Sequence, residues 1–252
     1  MPDISKVPDL QKAALRGEPS YVWRAGQERR LGMIRRWGAD SLGGVILENG
    51  CGTGEYLMRL HAGATLAVGL EIEFERALQA KTKSPNLICA AGEHLPFRAG
   101  TFDLVLSNEV LEHVADDRLS AAEMARTLKD GGRMLLFCPN RGYPFETHGI
   151  YWRGGYRFGN IPLVNYLPRR MRDRLAPHVR AYSTGDLAKL LAGLPVTASY
   201  RTIIFGAYDN LIQRAPGIGR LVRAILQSLE HTPLRVLGLS HFQVLVKTDR
   251  VF

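Results

Sequence analysis

The chain has 252 residues, 46% of them hydrophobic and 23% charged, which suits one domain of generous size with a substantial core. No apolar run approaches the roughly 20 residues that span a bilayer, and the first twenty residues lack the apolar centre of an export signal. Cys51, Cys89 and Cys138 show no CxxC spacing, which speaks against a zinc site or a disulfide framework and for a reducing cytoplasm. The net charge of +9 leaves open an anionic partner or a solvated basic face.

In chain order, residues 1–42 form a lead-in whose basic, amphipathic stretch 20–37 predicts a helix with Trp23, Leu31, Ile34 and Trp37 inward. From 43 to 140 short apolar runs alternate with helical ones. Strands are expected at 45–47, 65–70, 86–90, 101–107 and 133–137, and helices at 54–60, 73–81 and 119–128. That alternation predicts a doubly wound α/β fold, a Rossmann-like and mostly parallel sheet covered on both faces. Residues 141–182 interrupt it with eight arginines, two acids and eight of the 21 aromatics. A helix at 184–191 and a strand at 196–204 resume the pattern. Residues 207–240 interrupt it again, with Ile218, Leu221, Val222, Ile225, Leu226 and Leu229 at helical spacing, and 241–247 closes as an antiparallel strand. One domain is therefore expected, its sheet completed by 183–206 and 241–252. The insertions 141–182 and 207–240 are expected as caps.

The loop LENGCGTGEY (47–56) could hold several ligands. A triphosphate loop needs Lys and Ser or Thr after its last glycine, whereas Gly54 is followed by Glu55. The dinucleotide pattern GxGxxG fails by one residue, since Glu55 stands where the third glycine belongs. Glu71 ends the second strand, where an acid can bind ribose hydroxyls. Pyrophosphate favours a helix N-terminus free of acids, but Glu48 and Glu55 flank this loop, which suits a ligand carrying positive charge. S-adenosylmethionine has a ribose, an adenine, an ammonium and a sulfonium, and no phosphate.

Four stretches in order, GVILENGCGTGEYLMRL, VGLEIEFERALQAK, AGEHLPFRAGTFDLVLSNEVLEHV and LKDGGRMLLFCPN, resemble the motifs of class I S-adenosylmethionine-dependent methyltransferases, most nearly the type 11 group that includes ubiquinone and menaquinone biosynthesis enzymes. The resemblance covers about residues 44–140, with a weaker echo at 177–193. It implies S-adenosyl-L-methionine as cofactor. Glu48, Gly50, Gly52 and Gly54 would line its methionine and ribose side, Glu71 would take the ribose hydroxyls, Ile72 would lie on the adenine, and Asn108 would sit near the methionine end. The family's adenine-binding Asp is replaced by Ala91, so the Gly92 backbone or the Glu93 side chain is expected to substitute.

Methyl transfer from a sulfonium needs positioning and at most one base. His113 and His148 are the candidate bases, and the loop 140–152 offers Tyr143, Glu146 and Tyr151 toward an acceptor. No metal ligand set is expected. The Asn/Asp-Pro-Pro-Tyr motif of adenine N6 methyltransferases is replaced by Ser107-Asn108-Glu109-Val110, which disfavours that chemistry. Three readings stay open: a small-molecule or lipid-like acceptor, with peripheral membrane contact through 217–229; an RNA acceptor; and a non-catalytic cofactor-binding or interaction protein of the same fold.

Overall fold

The computed structural model describes residues 23–248. The lead-in up to residue 22, with the first turn of the helix expected from residue 20, and the last four residues lie outside the described residues. Helix α1 (Ala25–Gly38) buries Leu31 and Ile34 and leads to β1 (Val45–Asn49). Then follow α2 (Glu55–His61), β2 (Leu66–Glu71), α3 (Phe74–Lys81), β3 (Leu87–Cys89) and β4 (Phe102–Asn108). Helix α4 (Asp117–Thr127) is started by Asp116, whose side chain accepts from the Leu119 N–H, and runs into β5 (Leu128–Pro139).

The segment 141–182 is not featureless. It folds into short strands β6 (Phe145–Glu146), β7 (Ile150–Trp152), β8 (Gly155–Arg157) and β9 (Ile161–Pro162), followed by α5 (Arg169–Leu175). Helix α6 (Thr184–Leu191) begins with a reciprocal Ser183–Asp186 cap. Strand β10 (Val196–Ile204), the helix pair α7 (Asp209–Arg214) and α8 (Pro216–Ser228), and β11 (Ser240–Lys247) complete the chain.

The seven long strands pair in the order β10-β11-β5-β4-β1-β2-β3. Pairs within β1–β5 are parallel, and β11 lies antiparallel between β5 and β10, as the sequence reading required. The side chains of β5 alternate across the sheet. Met134, Leu136 and Cys138 pack on the face covered by α4 and α6, and Leu135 and Phe137 on the face covered by α1 and α2. The strand order reverses between β1 and β4, and this leaves the crevice in which open α/β sheets bind ligands. Asp103 serves that frame: its Oδ2 accepts the Val45 N–H at 2.7 Å and pairs with Lys129. The three cysteines are free thiols, and Cys138 is fully buried in the core.

Candidate functional site

The C-terminal ends of β1, β2 and β4 open into a cavity of about 1090 Å³. Its floor is the glycine loop, where Gly50 (φ +78°) and Gly52 (φ +55°) hold the left-handed backbone that glycine adopts without penalty. A Cβ at Gly50 would fall 2.4 Å from Val110 Cγ2, so the wall has no room for a side chain there. The Gly50 and Cys51 N–H groups donate to Leu70 O, and Gly52 N–H donates to Glu71 Oε2 at 2.9 Å. Glu71 Oε1 accepts the Glu73 N–H, so this acid braces the loop while lining the cavity.

Glu48 is only 2% exposed, and its Oε2 has no hydrogen-bond partner. Burial pushes its carboxyl well above the ordinary range, a penalty that a bound cation would reverse. Asn49 beside it also lines the cavity with both amide atoms unpaired, and a Cβ on the neighbouring Gly92 would come 2.9 Å from its Oδ1. Glu55 behaves differently from expectation. It pairs with Lys83 and with Arg59, each at 2.7 Å, so its charge is compensated from α2 itself and from the turn after α3. The attraction for a cation therefore rests on Glu48.

Glu48, Gly50, Gly52, Glu71, Ile72, Gly92, Glu93 and Asn108 all lie on the cavity wall. Gly54 does not. It occupies the N-cap position of α2, with φ +79°, and packs against Ala80, where a Cβ would approach to 3.1 Å. Ile72 stands 48% exposed, an apolar platform facing open space. Glu93 Oε1 accepts the Ala115 and Asp116 N–H groups at 2.7 and 3.3 Å, so it ties the turn before α4 to the cavity rim.

The opposite wall brings together residues far apart in sequence. Gln27, Arg29 and Arg30 of α1, the segment 204–207, Leu239, and the pair Thr147 and His148 all face the cavity. Arg30 donates to Asn108 Oδ1 and to Glu109 Oε1, both at 2.7 Å, and lies 5.1 Å over the Phe137 ring. Glu109 is held at φ +56°, an uncommon backbone for this residue, and also accepts from Ser240 Oγ at 2.6 Å. Burial pushes the Glu109 carboxyl up, but Arg30 and the hydrogen bonds from Ser240 and Glu112 together outweigh it and hold the group below its usual range. The buried Glu112 is raised well above that range by burial and by Glu109, so the two carboxyls carry one negative charge between them.

His113 and His148 both line the cavity, with ring centroids 5.3 Å apart. Burial, with the nearby His148, pushes the His113 ring down to about 3, so it stays neutral at ordinary pH. His148 Nδ1 lies 3.1 Å from Glu146 Oε1, which also accepts the His148 N–H at 3.0 Å. Glu146 Oε2 accepts from the buried Arg172 at 2.7 Å. Burial pushes the Glu146 carboxyl up, but His148 and Arg172 outweigh it and bring it to about 2.

Tyr143, Glu146 and Tyr151 do not line the cavity, contrary to the sequence expectation. Glu146 turns inward because Arg172 and His148 compensate its charge there. Tyr151 packs on the Tyr156 and His178 rings at 5.2 and 5.5 Å, and Tyr143 bonds the Tyr208 hydroxyl. The sequence reading missed Arg30, Glu112 and the segment 204–207. Arg30 is one arginine among several on a basic helix, and its partners lie 78 and 79 residues away. Glu112, His113 and His148 bring one potential ligand atom each within 4.8 Å of one another, although a cation there would first have to displace the Glu112 proton.

The orphaned Glu48 and Asn49 atoms, the glycine floor and the open Ile72 platform fit a cationic adenosyl ligand. The sheet order matches the Rossmann-like fold of class I S-adenosylmethionine-dependent methyltransferases. Residues 47–136 match the family model for a methyltransferase domain, and with S-adenosylmethionine-dependent methyltransferases among the structures that share the fold this match implies S-adenosyl-L-methionine as the cofactor. A malonyl-[acyl-carrier protein] O-methyltransferase of Herminiimonas arsenicoxydans is 35% identical over 108 residues, 42% of this chain and 41% of that protein. A demethylmenaquinone methyltransferase of Corynebacterium urealyticum is 27% identical over 133 residues, 53% of this chain and 55% of that one. The chain thus spans about half the length of these curated relatives. Among solved structures, an S-adenosylmethionine-dependent methyltransferase of Mesorhizobium loti shares the fold with a TM-score of 0.61. It is 18% identical and covers 88% of this chain and 98% of that one. The [4+2]-cyclase SpnF shares it equally, with a TM-score of 0.61 and 14% identity, covering 95% of this chain and 91% of that one. No helix among the described residues is long and apolar enough to cross a membrane.

Proposed function

We propose that the protein transfers a methyl group from S-adenosyl-L-methionine to a small or lipid-like acceptor held between α1, the segment 204–207 and His148. The observation that carries this reading is the His148–Glu146–Arg172 chain beside the cofactor cavity. When bound, the cofactor supplies an activated methyl group on a positively charged sulfur. Glu48 would hold the ammonium, Glu71 the ribose hydroxyls, and Ile72 one face of the adenine.

An acceptor O–H, N–H or acidic C–H loses its proton as the new bond to the methyl carbon forms. His148 receives that proton at Nε2. Because Nδ1 donates to Glu146, the neutral ring carries its hydrogen there and leaves the Nε2 lone pair free. His113 is unsuited to this role, since a ring pushed to about 3 binds a proton weakly. Arg172 keeps Glu146 ionised, and Glu146 in turn orients the imidazole. The apolar wall from Phe205, Ala207 and Leu239 suits an acceptor with a hydrocarbon or aromatic body.

The test is transfer of labelled methyl from the cofactor to fractionated lipid, quinol and small-acid extracts. Cofactor affinity is measured separately by calorimetry. Wild-type protein should label an apolar fraction, and His148→Ala should bind the cofactor unchanged yet label at least 100-fold more slowly, the usual scale for a lost base. Labelling that survives in His148→Ala would refute the assignment of the base. Labelling confined to RNA would refute the acceptor class.

A further inference from the structure

Large hydrophobic side chains stand exposed at twenty positions among the described residues, and fourteen of these fall in the two insertions, 141–182 and 207–240. Those insertions hold about a third of the described chain, so the exposure is concentrated on the cap. Helix α8 shows the pattern most clearly. Val222, Leu226 and Leu229 are half-buried toward the body, while Ile218, Leu221 and Ile225 stand 65%, 61% and 52% exposed. At about 100° per residue, these last three form one outward stripe.

The stripe continues onto neighbouring elements. The turn 233–237 leaves Leu234 and Val236 more than half exposed. Its backbone is held at the base of the first insertion, because Asn140 Nδ2 donates to Val236 O at 2.8 Å. Gly142 adjoins the same carbonyl, and Tyr166 donates to Gly142 O at 2.9 Å. Tyr166 and Leu163 on that side are 49% and 61% exposed. A single apolar surface therefore crosses from one insertion to the other.

Charge decides what covers it. Eight arginines in the two insertions are exposed, against one exposed acid, Asp173. Of the other three acids there, Glu146 and Glu230 are buried in pairs with Arg172 and Arg29, and Asp209 bonds the Gly26 N–H. Arg214, Arg220 and Arg235 stand exposed on α7, on α8 and in the following turn. Exposed aliphatic side chains accompanied by arginines match an anionic bilayer surface, into which the apolar face sinks while guanidinium groups meet lipid phosphates. A second copy of this chain would bring like charges together.

We propose that the cap, led by Ile218, Leu221 and Ile225 of α8, docks the protein on the surface of an anionic lipid bilayer. The same elements reach the cavity. Gln227 at the end of α8 donates to Gly206 O, and Glu230 accepts the Phe205 N–H at 2.8 Å; Phe205 and Gly206 line the acceptor wall. Docking would set that wall against the lipid, so an apolar acceptor could enter from the bilayer without crossing water.

The experiment is co-flotation of the full chain with vesicles of phosphatidylglycerol and phosphatidylcholine, mixed or of phosphatidylcholine alone. It needs neither acceptor nor turnover, so it stands or falls independently of the methyl-transfer reading. Wild-type protein should bind mixed vesicles at least tenfold better than neutral ones, and raising salt should weaken binding. The double variant Leu221→Glu/Ile225→Glu should lose at least tenfold of that binding while its circular dichroism and cofactor affinity stay unchanged. Arg220→Glu/Arg235→Glu should lose the preference for anionic lipid. Equal binding to both vesicle types, or unchanged binding by the Leu221/Ile225 variant, would overturn the proposal. So would a concentration-dependent dimer that the same variant dissolves and vesicles do not compete with.

Discussion

Replacing Glu146 with Gln tests the link between the buried ion pair and His148, the proposed base. The Glu146 carboxyl is 2% exposed and lies at about 2, against an ordinary 4.5. A depression of about 2.5 units corresponds to about 3 kcal/mol of stability at neutral pH. The sign follows from the direction: a depressed acid contributes fully above the unfolded value near 4.5, and the contribution is lost as pH falls through the folded value near 2. By pH 3 about 2 of those 3 kcal/mol are gone. Glu146→Gln should therefore lower stability by about 3 kcal/mol at pH 7, or roughly 6–12 °C in Tm for a domain of this size. The gap between variant and wild type should shrink to about 1 kcal/mol at pH 3. Urea unfolding followed by circular dichroism at both pH values measures this directly. A gap below about 0.5 kcal/mol at pH 7, or one that does not change between the two, would refute the ion-pair account. Turnover should also fall, because a neutral amide stabilises protonated His148 less than a carboxylate does.

Glu48→Gln should weaken cofactor binding about 10- to 100-fold, the worth of one hydrogen bond to a charged group, as measured by calorimetry. In wild type the raised Glu48 carboxyl must lose its proton to meet a cation, so affinity should rise with pH through that group's titration and be flatter in the variant. Gly50→Ala places a Cβ 2.4 Å from Val110 Cγ2 at φ +78°; thermal unfolding should show a loss of roughly 1–3 kcal/mol, and the cofactor affinity should drop. Arg30→Leu leaves the half-buried Glu109 without its cation, which should cost about 1.5–3 kcal/mol in urea unfolding.

The periodicity of residues 43–140 was enough to set five parallel strands, because strands buried on both faces must read as short apolar runs between helices. The elements 184–191 and 196–204 were legible to the residue, and α4 was displaced only at its ends, where Asp116 caps it. The cofactor wall was legible as well, since a glycine loop and a strand-end acid act through local geometry. Gly54 was assigned to the wall because spacing alone does not say which of three left-handed glycines faces the ligand.

The acceptor side was not legible. Tyr143, Glu146 and Tyr151 are polar or aromatic residues on one short loop, but what each faces depends on Arg172, His178 and Tyr208, which come from other elements. The same holds for Arg30, whose charge is spent on two residues of a distant strand end. The sequence by itself narrowed what the loop can take, because glycine spacing and flanking acids are properties of a few consecutive residues, and the resemblance of four ordered motifs then implied the methyl donor. Only the tertiary structure decided that His148 shares one cavity with the glycine loop and with Phe205, Ala207 and Leu239, and that Ile218, Leu221 and Ile225 turn outward. Those are contacts across the chain, and no local pattern encodes which partner a side chain will meet.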